Sequence, residues 1–419
     1  MKIRTILTLF SILLLTSSPL FSQSKKLLHK NATYEFEIRT VLLYGANASM
    51  LSPAVALIGA NDLVLEFDDL VEREENYRAK IIHCNKDWTP SRLKEINYLY
   101  DYNEFNINNY KLSVDTKIAY VHYSFKVPNV KVPGNYLLVV YRGTDESDII
   151  LSHRFMVYDN KVGIGLTSKL QGLTSMDRKR QKLDFIVNYE NYPIQNPGTS
   201  IQVVIRQNQR WDNAITNLKP NMIREASSEV EYQYFNDKNS FPAGNEFRFF
   251  DMRSIRYPGQ NVQRINAGTR PSTADLMLDK PRIYQPYTQY DDIEGGFYIA
   301  NADTGNGPTQ SDYLSVNFNL DAEKINGDIY LVGNMNNWEL KNKMTYNSSL
   351  QRYTTDTILK QGFYNYQYLV KSKDYEENYL EGDHYQSENN YEIFVYYQSP
   401  SSRSELLIGY SQYTMNPVD

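Results

Sequence analysis

The residue types that could do chemistry fall in five short stretches of this 419-residue chain. Tyr330 to Leu340 reads YLVGNMNNWEL. Its Asn336, Asn337 and Trp338 are the types that hold a glycan, an indole stacking on the sugar face while amides bond the hydroxyls. His83 to Trp88 reads HCNKDW, in which His83 and Cys84 are metal-ligand or thiol-chemistry types. Asp68-Asp69 with Glu72, Glu74 and Glu75, and Asp291-Asp292 with Glu294, supply carboxylates of the kind used in calcium sites or glycosidase pairs. The run NQRWDN, 208 to 213, sets Trp211 among polar residues.

None of these forms a catalytic constellation. The acidic runs lack the spacing of an EF-hand loop and read as solvated turns. In HCNKDW, Trp88 reads as a core or edge plug and Asp87 as a turn acceptor. Cys84 is the single cysteine, so no intramolecular disulfide can form, and it reads as a small buried apolar residue. His29, His83, His122, His153 and His384 make no close-spaced ligand pair. There is no G-x-S-x-G, H-E-x-x-H, P-loop or strand-borne G-x-G-x-x-G. The expectation is a protein that is not an enzyme and carries neither metal nor cofactor. A formal net charge of −5, with Lys and Arg interspersed among the acids, argues against nucleic acid or an anionic membrane surface as the main partner.

The elements that must position these residues are strands. Leu314 to Leu320, LSVNFNL, alternates apolar and polar; Tyr136–Tyr141, Ile201–Ile205, Tyr364–Val370 and Tyr391–Tyr396 are short β-branched or aromatic runs. Helical spacing is confined to a short piece around Ser91 to Leu99. The 36 tyrosines suit pleated, half-buried surfaces and interfaces. Turn pairs such as Pro133-Gly134 and Asn326-Gly327 recur at sandwich-like intervals. This predicts an all-β chain of tandem immunoglobulin-like or early-set β-sandwiches. Residues 1–24 read as a signal peptide, with Lys2 and Arg4 before an apolar core from Ile6 to Leu15 too short to span a bilayer. The expected blocks are 30–157, 161–300 and 313–411, with the polar stretch Asn301 to Asp312 as linker, and NQRWDN is expected to be a hairpin tip.

The third block resembles the starch- and glycogen-binding early-set sandwiches. Gly362-Phe363-Tyr364 to Val370 looks like one of their strands, and Asn389-Asn390-Tyr391-Glu392-Ile393 like their closing strand. The second stacking aromatic of that family has no clear counterpart, since KDYEENYLEG offers only Tyr375 and Tyr379. The resemblance therefore implies the fold without the sugar.

Over about 33 to 411 the chain resembles the plug proteins of the Bacteroidota type IX secretion system. The resemblance rests on LEFDDL (65–70), HCNKDW (83–88), YVHYSFKVPN (120–129), PGNYLLVVY (133–141), NEFRFFDMRS (245–254), EGDHYQSENNYEIFVYY (381–397) and LLIGY (406–410). It implies a non-enzymatic periplasmic protein with no anchor of its own, associated with the outer membrane through its partner. One copy would seat in the periplasmic opening of the giant outer-membrane β-barrel translocon and occlude it while no cargo is engaged. The family pattern names no contact residue; Trp211 is the one partner-binding candidate, on the expectation that it is exposed. The alternatives are a glycan-binding module using Asn336, Asn337 and Trp338, and a periplasmic scaffold for other secretion components.

Overall fold

The computed structural model describes residues 25–60, 62–167, 178–400 and 402–418. The expected signal peptide, 1–24, lies outside them. The structure is built from mainly antiparallel sheets, with three four-residue α-helices, at Glu95–Tyr98, Pro197–Ser200 and Gly307–Gln310, among the described residues. Helix formation around Ser91 to Leu99 is thus limited to one turn.

Two sheets form the first sandwich. One contains Leu63–Asp69 between Ile38–Gly45 and Val121–Lys126; the other runs through Ile149–Tyr158, Gly134–Arg142 and Tyr77–Cys84. Alternate residues point inward, so Leu65 and Phe67 meet Tyr77, Ala79, Ile81, Tyr136 and Leu138 in one core. Phe67 stacks on Tyr123 with centroids 4.9 Å apart.

Residues 163–166, 185–188, 222–224 and 229–232 make one sheet of the middle sandwich. Its facing sheet pairs Ile201–Gln207 with Asn389–Tyr397, from Ile201 opposite Tyr397 to Gln207 opposite Tyr391, and then with Leu406–Met415. The third sandwich lies between those strands in sequence. Gly362–Lys371 pairs with Arg248–Asp251, Phe297–Ile299 and Asp328–Val332. Tyr313–Leu320 pairs with Arg352–Lys360 and Ser272–Leu276 in the facing sheet. The third sandwich is thus inserted into the middle one.

The expected divisions at 300 and 313 consequently cut through three sheets. The Asn389 to Ile393 run, likened to the closing strand of the third block, closes the middle sandwich instead. Ile201–Gln207 has Val203 and Ile205 in the middle core and Val204 facing the first sandwich. A strand buried on both faces needs a paired neighbour on each edge. The polar stretch Asn301 to Asp312 is no linker either. Ser311 is fully buried, Asn301 and Asp312 nearly so, and Asn301 Nδ2 donates to the Gln310 carbonyl at 2.5 Å. Short polar side chains satisfy this loop's own backbone, which lets it enter the interior.

Candidate functional site: the joints between the sandwiches

The residues with chemical potential converge on the seams where the sandwiches meet. At the seam of first and middle sandwiches, Cys84, Trp88, Leu137, Val139 and Met156 pack on Val204, Phe394, Tyr396 and Leu407. Trp88 meets Trp211 edge to face, centroids 4.9 Å apart. Two guanidiniums bracket the indole of Trp211: Arg154 at 5.3 Å and Arg206 at 4.6 Å from its centroid. Arg206 is held by a two-pronged pair to Glu392, at 2.5 and 2.8 Å, and the Tyr410 hydroxyl donates to the same carboxylate at 2.8 Å. Charge-assisted forks of this kind fix orientation as well as energy. NQRWDN does connect the antiparallel pair Ile201–Gln207 and Ile215–Leu218, as expected of a hairpin tip, but Trp211 within it is a half-buried keystone of the seam and not the exposed residue expected.

A charged knot joins the first and third sandwiches. Asp68 and Lys360 are both essentially buried. Lys360 Nζ donates to Asp68 Oδ2 at 2.5 Å and to the Pro308 carbonyl at 2.8 Å. The Tyr313 hydroxyl donates to Asp68 Oδ2 at 2.7 Å, and His122 Nδ1 lies 2.8 Å from Asp68 Oδ1. Burial alone would raise the Asp68 carboxyl; Lys360 and His122 outweigh it and hold the group low. Asp68 is thus no solvated turn. Asp69 is buried too, accepting from the Tyr77 hydroxyl at 2.7 Å, whereas Glu72, Glu74 and Glu75 are exposed as expected.

Tyrosine serves buried acids repeatedly. Tyr366 and Tyr368 both donate to Asp279 at 2.7 Å, beside Arg248 and its partner Glu381. Burial would raise Glu381, but Arg248 and Arg282 bring it down to about 2. The tyrosine content follows in part: a ring fills the core while its hydroxyl satisfies a carboxylate that phenylalanine would strand.

The opening candidates for glycan binding are used by the fold. Trp338 is 7% exposed and meets Phe247 edge to face at 5.7 Å, while Arg210 covers it 4.2 Å from the centroid. A Cβ at Gly295, whose φ is +78°, would come within 2.5 Å of the indole, so only glycine lets the ring in. Asn336 accepts from the Gly333 amide at 3.2 Å and donates to the Leu331 carbonyl at 2.9 Å, stapling the turn. Asn337 adopts φ +54° and has no side-chain bond among the described residues. Trp338 therefore leaves little ring surface for a sugar.

In HCNKDW, burial pushes the Cys84 thiol up to about 12, so it is no ready thiolate, and draws His83 down to about 4, leaving a neutral, buried imidazole. The Asp291-Asp292-Glu294 run meets Glu246 and Glu388. Burial raises Asp292 to about 7, and burial with neighbouring Asp292 and Glu388 raises Glu294 to about 8. Among the described residues no group of three or more His, Cys, Asp or Glu is arranged to hold a metal. No helix among them is long and apolar enough to cross a membrane.

One feature had no signal in the sequence. Ile96, Tyr100 and Tyr102, on the short helix and the turn after it, are 76%, 66% and 80% exposed.

The fold and its seams define an all-β body of interlocked sandwiches, joined through buried aromatic and charged contacts. Residues 38–159 match the type 9 secretion system plug protein 1st domain. A crystal structure of a hypothetical protein from Parabacteroides merdae ATCC 43184 is 31% identical, covers 93% of this chain and 100% of its own, and superposes with a TM-score of 0.87. Trypsin-activated alpha-2-macroglobulin from Escherichia coli, at 9% identity over 90% of this chain and 24% of its own, reaches a TM-score of 0.17 and carries no argument. No curated protein matches the chain. The chain thus carries the first domain of the type 9 secretion system plug protein family.

Proposed function

We propose that this chain is a periplasmic plug, seated in the periplasmic opening of the giant outer-membrane β-barrel translocon and occluding it while no cargo is engaged. The observation that carries the reading is the plug-family match over the first sandwich. The seams support it, because a plug holds a pore by shape: buried ion pairs and aromatic keystones at both joints let the sandwiches move as one piece. The exposed Ile96, Tyr100 and Tyr102 supply aromatic and aliphatic contact area of the kind enriched at protein interfaces. Release is steric gating, limited by the difference in affinity between the empty and the loaded barrel.

The test is a tagged pull-down from detergent-solubilised envelopes of the native bacterium, followed by mass spectrometry and imaging. A very large barrel with this chain at its periplasmic opening is the expected result. Recovery of no barrel from a preparation rich in it would overturn the proposal, and equal yields of other partners from cells lacking the barrel would favour a scaffold. No observation favours the glycan-binding reading, since Trp338 is covered by Phe247 and Arg210.

A further inference from the structure

Arg39 is the exception among the arginines. Each of the other buried or half-buried arginines among the described residues has a hydrogen-bonded or ion-paired acceptor, from Arg206 on Glu392 and Arg248 on Glu381 to Arg154 on the His29 carbonyl. Arg39 is half-buried, has neither among the described residues, and its Nε is sealed from solvent with no partner. Burial draws this guanidinium below its usual range, outweighing the attraction of the nearby Tyr313 and Glu37, neither of which bonds it. An unmatched buried donor in a folded protein calls for an explanation, commonly a missing ion or ligand.

The guanidinium lines a cavity of about 550 Å³ between the first and third sandwiches, a volume usual for small-molecule sites. Three details show how it is held. The ring of Phe36, itself 67% exposed, lies 4.1 Å from the guanidinium carbon. The strand is bulged between Arg39 and Leu42, with Thr40 at φ +50°, a left-handed conformation that a β-branched residue rarely adopts. Asn337, whose amide has no partner among the described residues, lines the same cavity. The other charges facing it are largely settled. Lys360 is matched by Asp68 from behind, and Glu339 by Lys30 and Lys341 at the rim. Asp356 on the third sandwich forms no ion pair with Arg39.

We propose that this cavity binds a carboxylate, received by the two terminal nitrogens of Arg39 with the Asn337 amide as a second donor. The planar fork fits two carboxylate oxygens at once. With Asp356 on the opposite wall, a singly charged group is favoured over a phosphate. The carboxylate can come from a small organic acid or from a peptide terminus, and the test separates them.

Titration calorimetry with the full chain uses three probes: succinate, tetra-alanine with a free terminus, and tetra-alanine amide. Saturable millimolar or tighter binding of a carboxylate probe is expected, with none for the amide. Tetra-alanine binding above succinate identifies the peptide source; the reverse identifies the small acid. Arg39→Gln weakens binding at least tenfold. Arg39→Lys keeps the charge, loses the fork, and falls in between. Asp356→Asn tightens binding by removing a competing anion. Arg39→Gln melts no lower than the wild type, because the guanidinium holds no hydrogen bond or ion pair in the fold. Wild-type affinity in both Arg39 variants, no saturable binding of either carboxylate, or a large drop in melting temperature for Arg39→Gln each overturns the proposal.

Discussion

Lys360 Nζ and Asp68 Oδ2 lie 2.5 Å apart although 292 residues separate them in the chain, and both side chains are out of reach of water. Removing one partner strands the other's charge in the interior. Lys360→Met is expected to lower stability by about 3–5 kcal/mol, read from the urea midpoint. Adding Asp68→Asn recovers part of the loss. A double variant as unstable as the single would place the cost in packing and not in charge.

Trp338→Ala is expected to cost about 3–5 kcal/mol, since it empties a site shaped by Phe247, Gly295 and Arg210. Wild-type protein titrated with α-glucans gives no heat. A measurable heat that vanishes in the variant would restore the sugar-binding alternative.

The Cys84 thiol is expected to resist an aromatic disulfide reagent in the native state, because burial holds it protonated and covered. Labelling across a urea series should follow global unfolding. Rapid labelling in native buffer would show that the seam between the first and middle sandwiches opens by itself.

Stability is expected to fall between pH 6.5 and 8.5. His83 and His153 sit at about 4 in the fold, so their contribution is lost as pH falls toward 4 and is complete above 6.5. Asp292 and Glu294 are raised to about 7 and 8, so theirs is present at low pH and lost as pH rises through those values. His122, raised by Asp68 and Glu66 against the pull of burial, loses its share in the same direction. Urea midpoints at pH 6.5 and 8.5 check this, and Glu294→Gln should reduce the difference.

The strands were legible where one face is wet. Leu314 to Leu320 alternates in sequence because Val316 and Phe318 enter the core while Ser315 and Asn317 do not. The partner of a strand is written nowhere locally, which is why the pairing of Ile201–Gln207 with Asn389–Tyr397 was invisible. The same blindness misplaced Asp68, whose acidic neighbours suggested a solvated turn; the lysine that matches it arrives only at 360. Trp211 was misjudged because its polar neighbours are themselves buried, Arg206 and Asn208 among them. Arg39 carried no signal, since only three-dimensional accounting shows which arginine lacks an acceptor.

The insertion of one sandwich within another sets an order of assembly. The first sandwich has all its strands by residue 158, and the inserted one by residue 371. The middle sandwich holds its early strands half-paired until residues 389–415 supply the last two. A chain cut short at 388 would retain two finished units and one with an open, aggregation-prone edge at Ile201–Gln207. Closure of the middle sandwich is thus tied to arrival of residues 389–415, which act as the clasp of the fold.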